Sequence, residues 1–340
     1  MKRHLNTLFV TTQDTWLSKE GECVELWLER KSLGKIPLHT LQSVVCFGRV
    51  SCSQYLLEHC ARLGVTVAWL TENGRFMAAM HGPTTGNVLL RRAQYRLADA
   101  PEASADLARF FIVGKVANCR TVLLRQARAS AEPALAEAAE KLGRILRRLV
   151  RPHDLETLRG MEGDAAHLYF GAFPYLIRQE LRQEMPFAGR SRKPPRDEVN
   201  CLLSFLYTLL ATAVRSALEG VGLDPAVGFL HRERPGRPSL ALDLMEEFRP
   251  YLADRLCLTL INRRQITARD FTRTEVGGFV LKEKARKEVL AAWQTRKREE
   301  VEHPFLKERM QAGMLCHMQA RLLARHIRGE LDAYPPFAMR

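Results

Sequence analysis

The stretch HGPTTGNVLLRRAQYRLA, residues 81–98, separates two kinds of apolar pattern. Before it come short runs rich in β-branched and aromatic side chains: NTLFVTT, ECVELWLER, SVVCFG and VTVAWLT. After it, apolar residues recur at three and four in VLLRRAQYRLA, ASADLARFFIVGKVANCRTVLLRQAR and ALAEAAEKLGRILRRLV. The first pattern suits short strands and the second suits helices with one apolar face. The Gly, Pro and Thr residues of HGPTTGN belong to neither element and mark a linker. The expectation is an α+β chain: a small N-terminal β-sheet domain, sandwich-like, over residues 1–82, a linker over 83–87, and a larger all-helical domain over 88–340. Lys19-Glu20-Gly21-Glu22 and Glu72-Asn73-Gly74-Arg75 read as hairpin turns, and SQYLLEHCARL, residues 53–63, as the lone helix of the first domain.

A length of 340 residues exceeds the usual single domain and agrees with this division. With 46% hydrophobic and 26% charged residues the composition is that of a folded globular chain, which excludes disorder and fibrous repeats. The apolar run CLLSFLYTLLATAV is shorter than the ~20 residues that cross a bilayer, and MKRHLNTLFVTTQD lacks the apolar segment of a signal peptide. The eight cysteines form no CxxC pair and no zinc-ribbon spacing; they read as reduced core thiols, and the expected location is the cytoplasm. His317 and His326, near Cys316, read as helix-surface residues. Phosphate-loop, nucleophile-elbow and dinucleotide motifs are missing from the sequence, which sets ATPases, hydrolase triads and Rossmann enzymes aside.

Against 38 Asp and Glu stand 52 Lys and Arg, a formal charge of +14. Such an excess favours a polyanion through phosphate neutralisation and counterion release, although charge also serves solubility. RQELRQEMPFAGRSRKPPR, residues 178–196, carries Arg190, Arg192 and Lys193 among paired prolines and reads as a loop: a solvated one, or a basic arm against a phosphate backbone. The helix KEKARKEVLAAWQTRKREE is evenly mixed and reads as a solvated face.

Two segments place carboxylates in apolar surroundings. In LRGMEGDAAHLYFGAF, helical spacing puts Glu162 on one side with Leu158, Ala165 and Tyr169. A carboxylate removed from water needs a cation, a hydrogen-bond network or a metal ion. In GFLHRERPGRPSLALDLMEEFRP, residues 228–250, His231 precedes a basic turn, after which Asp243, Glu246 and Glu247 interrupt an apolar run. If the loop folds back, His231 faces these carboxylates. One imidazole and two carboxylates suit Mg2+ or Mn2+; a structural histidine and arginine-paired glutamates are the plainer alternative.

MEGDAAHLYF, PPRDEVNCLLSFLY and GLDPAVGFLHRERPGRPSLALDLMEEFRP, in this order, resemble the CRISPR-associated integrase family of spacer acquisition, the first-numbered proteins of those systems. The resemblance covers nearly the whole chain. It implies a metal-dependent DNA endonuclease and integrase with Glu162, His231 and Glu246 as ligands of Mg2+ or Mn2+, and Asp243 as a nearby further candidate. It also implies a homodimer formed through the first domain, a small ferredoxin-like partner, and double-stranded spacer-precursor and repeat DNA as substrates. DLMEEFRP and PPRDEVNC look most like the type I-C-like subtype, in which an iron–sulfur nuclease assists. Arg232, Arg234 and Arg237 beside the metal, and Arg190, Arg192 and Lys193 on the arm, are expected to contact DNA. The competing readings are a stand-alone metal-dependent nuclease of branched or single-stranded DNA, and a non-catalytic basic scaffold in which Glu162 and Glu246 pair with arginines such as Arg159 and Arg249.

Overall fold

A computed structural model describes residues 6–72, 74, 76–80, 82, 88–130 and 132–339. Its chain divides into two units, Met1–Thr85 and Gly86–Arg340. The expected linker, residues 83–87, lies outside the described residues, as do Asn73 and Arg75 of the second expected hairpin turn.

The first unit follows from alternation. Strands β1 (Asn6–Val10), β2 (Thr15–Glu20), β3 (Cys23–Leu28), β4 (Lys31–Pro37), β5 (Leu41–Phe47) and β6 (Val50–Cys52) precede helix α1 (Gln54–Leu63), and β7 (Thr66–Leu70) and β8 (Phe76–Met80) follow it. They make two four-stranded sheets, ordered β1-β5-β7-β8 and β4-β3-β2-β6. Leu17 and Val24 of one sheet share a core with Val44, Cys46 and Val67 of the other and with Leu56 and Cys60 of α1. The β2–β3 hairpin turns at Gly21-Glu22, where Gly21 at φ 56° supplies the conformation a two-residue turn requires. Helix α1 begins where the Ser53 side chain accepts the Leu56 N–H and ends at Gly64, φ 70°.

The second unit is mostly helical: α2 (Val88–Asp99), α3 (Pro101–Ala129), α4 (Pro133–Arg148), α5 (Leu155–Ala172), α6 (Glu198–Val221), α7 (Ser239–Met245), a π-helical turn (Arg249–Asp254) and α8 (Arg255–Asn262), then α9 (Glu283–Arg298) and α10 (Leu315–Ile327). It is not all helical, as the sequence suggested. Two short antiparallel pairs, β9 (Phe271–Arg273) with β10 (Phe279–Leu281) and β11 (Glu300–Glu302) with β12 (Arg309–Gln311), bracket α9. Nor is α9 only a solvated face, because it buries Ala285, Val289, Leu290 and Trp293 along one side.

Helix α6 runs longer than its apolar run suggested and is by length and composition able to cross a membrane. Here it is a core helix, burying Val199, Leu202, Leu203, Leu206, Leu210 and Leu218, and packing against α7, α8 and α10. Asp197 caps its start by accepting the Asn200 N–H at 2.7 Å. Helix α5 starts in the same manner, with Asp154 accepting the Thr157 N–H at 2.9 Å. These caps fix where α5 and α6 begin, and α5 carries Glu162.

Candidate active site

Asp243, on α7, is wholly buried. Its Oδ2 accepts the backbone N–H groups of Phe229 (2.6 Å) and Leu230 (3.0 Å); its Oδ1 accepts that of His231 (2.9 Å) and lies 2.6 Å from His231 Nδ1. This is how the loop folds back. A Cβ on Gly228 would stand 2.8 Å from Asp243 Oδ2 and equally close to Ser239, so glycine permits the approach. The carboxylate is fully engaged in holding the loop and the imidazole. With Nδ1 committed to Asp243, the other ring nitrogen, Nε2, faces Glu246 at 4.0 Å.

Glu246 caps the end of α7 and is buried. Its Oε1 accepts from Arg249 Nη1 at 2.5 Å, and its Oε2 lies 2.7 Å from the Lys115 ammonium of α3. Oε2 has no hydrogen bond of proper direction, so the Lys115 contact is an ion pair of proximity. Burial alone would raise the Glu246 pKa; Arg249, Lys115 and His231 outweigh it and hold the group down to about 2. Glu162, on α5 and partly exposed, contacts the same Lys115 ammonium. Burial would lower the Lys115 pKa, but Glu246 and Glu162 reverse this and raise it.

Glu162, Glu246 and His231 thus converge from three parts of the chain on one place, with Lys115 between the two glutamates. Among the described residues no three His, Cys, Asp or Glu side chains stand close enough to hold an ion as they are, and the intervening ammonium accounts for this. The donor set of two carboxylates and an imidazole Nε2, with one buried carboxylate oxygen lacking a directional partner, fits Mg2+ or Mn2+.

The expected arginine pairings divide. Arg249 does pair with Glu246, whereas Arg159 donates to the Leu230 carbonyl at 2.9 Å and to Glu156, not to Glu162. The basic residues divide as well. Arg192, Lys193, Arg232 and Arg234 are exposed, Arg237 is half-buried, and Arg232 reaches Glu156 at 2.9 Å. Burial lowers the Arg237 pKa, and the charges of Arg234 and Arg192 lower it further.

Arg190 is turned inward: it donates to Asn200 Oδ1 (2.6 Å) and Ser204 Oγ (3.1 Å), and its guanidinium lies 5.2 Å from the Tyr207 ring, which Arg249 also approaches at 5.0 Å. That packing, and not exposure on an arm, is what the structure gives it. Glu247, next to Glu246, points the opposite way and accepts from the Tyr334 hydroxyl, the Gln319 amide and the Phe337 N–H at 2.8–3.0 Å.

Sequence reasoning missed Lys115. Its only signal was a lone charge between Ile112 and Val116, both buried, on an otherwise apolar face of α3.

Residues 8–295 match the family model described as CRISPR associated protein Cas1. A CRISPR-associated endonuclease Cas1 of Chlorobaculum tepidum is 56% identical across the full length of both chains. A CRISPR-associated exonuclease Cas4/endonuclease Cas1 fusion of Geobacter sulfurreducens is 40% identical over 98% of this chain and 60% of its own. Among solved structures, a casposase bound to integration product aligns over 99% of this chain and 95% of its own with a TM-score of 0.83 at 21% identity, a likeness of fold. The chain belongs to the Cas1 family.

Proposed function

We propose that this protein is a metal-dependent DNA endonuclease and integrase that joins the 3′-hydroxyl ends of a short duplex to phosphodiesters of a CRISPR repeat. The observation that carries the reading is the convergence of Glu162, Glu246 and His231 beside the basic loop that follows His231, with the Arg190 segment linked to Arg249 across the Tyr207 ring. These three residues would hold Mg2+ or Mn2+, and the ion when bound would act as a Lewis acid toward the attacking hydroxyl and the phosphoryl oxygens. Asp243 fixes the His231 ring so that Nε2 stays available. Arg249 keeps the buried Glu246 ionised. Arg192, Lys193, Arg232, Arg234 and Arg237 offer cations to the DNA backbone, a contact that positions the duplex without reading its sequence.

The partners in this proposal are a second copy of the chain, a small ferredoxin-like protein and, as in the type I-C-like subtype, an iron–sulfur nuclease. The exonuclease Cas4 fused to the Geobacter relative supports a nuclease as partner, and the casposase likeness supports integration over cleavage alone. Light scattering of the full chain tests the second copy: a monomer at micromolar concentration removes it. The reaction is tested with a 3′-hydroxyl duplex and supercoiled target, with and without Mn2+ and the small partner. Joined product that requires Mn2+ is the expected result. Cleavage without joining would favour a stand-alone nuclease, and joining in the presence of a chelator would overturn the metal.

A further inference from the structure

Lys115 is almost wholly buried in the middle of α3, 5% exposed, with its ammonium on both Glu162 and Glu246. Lysine is rarely buried to this degree unless paired, and here the pairing uses two carboxylates from two other helices. Glu162 and Glu246 are matched one for one by Lys115 and Arg249. The two glutamates are therefore charge-balanced before any ion arrives. Mg2+ or Mn2+ would draw on the same carboxylate oxygens that the ammonium already occupies, 2.7 Å from Glu246 Oε2. An ammonium and a divalent ion drawn to the same Glu246 and Glu162 carboxylates would repel each other, so each weakens the hold of the other.

We propose that Lys115 is a built-in substitute for the metal ion: it holds Glu162 and Glu246 in the ion-free protein and must withdraw for the ion to enter. The inference rests on the reading of this site as a metal centre. Lys115 is here a positioning residue that sets metal affinity. Removing its charge should make the ion-free protein less stable and the ion bind more tightly, because the ion no longer competes with a resident cation. The gain in stability on adding ion should grow by the same cause.

The test is calorimetric titration of Mn2+ into the full chain, into Lys115→Met and into Lys115→Arg, with melting temperatures in chelator and in Mn2+. Lys115→Met should bind Mn2+ at least tenfold more tightly than the unaltered chain, melt lower in chelator and gain more on addition of Mn2+; Lys115→Arg, which keeps the charge, should bind no more tightly. If the unaltered chain binds no Mn2+, the metal-centre reading fails and this inference falls with it. If the unaltered chain binds Mn2+ and Lys115→Met binds equally or more weakly, the metal centre stands and the substitute role is overturned. Should Lys115→Met not fold in chelator, Lys115→Gln is measured beside it: folding of either on adding Mn2+ supports the inference, and failure of both to fold with the ion overturns it.

Discussion

Two neighbouring carboxylates look into two regions of the second unit and meet opposite fates. Glu246 faces the cation side, where Lys115, Arg249 and His231 surround it, and is held down to about 2. Glu247 faces Gln319 of α10 and the segment Tyr334–Met339, its partners being the Gln319 amide, the Tyr334 hydroxyl and the Phe337 N–H, and burial pushes it up to about 8 despite them. Both are fully buried. Neutral donors do not offset the desolvation of a carboxylate here; formal cations do. Burial alone therefore does not say which glutamate is ready for chemistry.

The largest effect that could break this comparison is on strand transfer. Glu162→Ala, His231→Ala and Glu246→Ala are each expected to abolish it while DNA binding persists, and combinations should be no worse than single changes because one site is broken each time. Glu247→Gln should retain transfer within a few fold, and a Glu247→Gln protein as inactive as Glu246→Ala would end the distinction. Asp243→Asn is expected to cost about 10–100-fold in Mn2+ affinity or transfer, since it loosens the imidazole and not a direct ligand. A loss equal to that of Glu246→Ala would instead make Asp243 a ligand.

The basic loops sharpen the comparison at the level of DNA binding. Replacing Arg232, Arg234 and Arg237, or Arg192 and Lys193, with alanine should reduce the slope of log affinity against log salt by about one unit per lost phosphate contact. Arg190→Ala should lower stability and leave the slope unchanged, because its guanidinium is spent on Asn200, Ser204 and Tyr207. A slope that falls in Arg190→Ala would return that residue to the DNA surface.

The smallest expected effect is on stability against pH, and its sign follows from proton counting. Native Glu247 keeps its proton up to about 8, whereas in the unfolded chain it is lost near the ordinary value of 4.5. Between these values the native state binds more protons, so stability falls as pH rises, by at most about 1.4 kcal/mol per pH unit from this group. Burial raises Asp254 to about 6 and adds the same sign over its lower window. Glu246 acts oppositely: its contribution is present above the ordinary value of 4.5 and is lost as pH falls toward about 2. Urea unfolding at pH 6, 7 and 8 should show a shallower decline in Glu247→Gln than in the unaltered chain; equal slopes would mean that Glu247 is already ionised.

What the sequence revealed and what it hid have physical reasons. The change of period across residues 81–98 and the capped helix α1 were legible because local backbone preference decides them. Strand β4 was not recognised: it is Lys-rich and largely exposed, and its turn uses Glu29 and Arg30 at positive φ, where no glycine or asparagine gives a signal. The fold-back of His231 onto Asp243 was foreseeable as a loop closure, but the three backbone N–H groups that secure it were not. Lys115 escaped because a single charge on a helix is read as pointing to water, and only the approach of α5 and α7 shows that it points inward. The inward turn of Arg190 escaped for the reverse reason, since counting charges in a loop cannot tell which one turns toward the core.

The Asn118 carboxamide, on the same helix as Lys115, donates to the carbonyls of Glu247 and Phe337, and its oxygen accepts the N–H of Met339, 221 residues further along the chain. At about 5–20 residues per second of synthesis, roughly 10–40 s separate Asn118 from Phe337 and Met339. During that interval the backbone beside Glu246 lacks its clasp. The helical unit is thus expected to reach its final form only after the ribosome has released the residues around Phe337, which pulsed proteolysis of stalled nascent chains would reveal as protection gained late. A potential DNA-cutting centre would then remain unassembled until the segment around Phe337 has emerged.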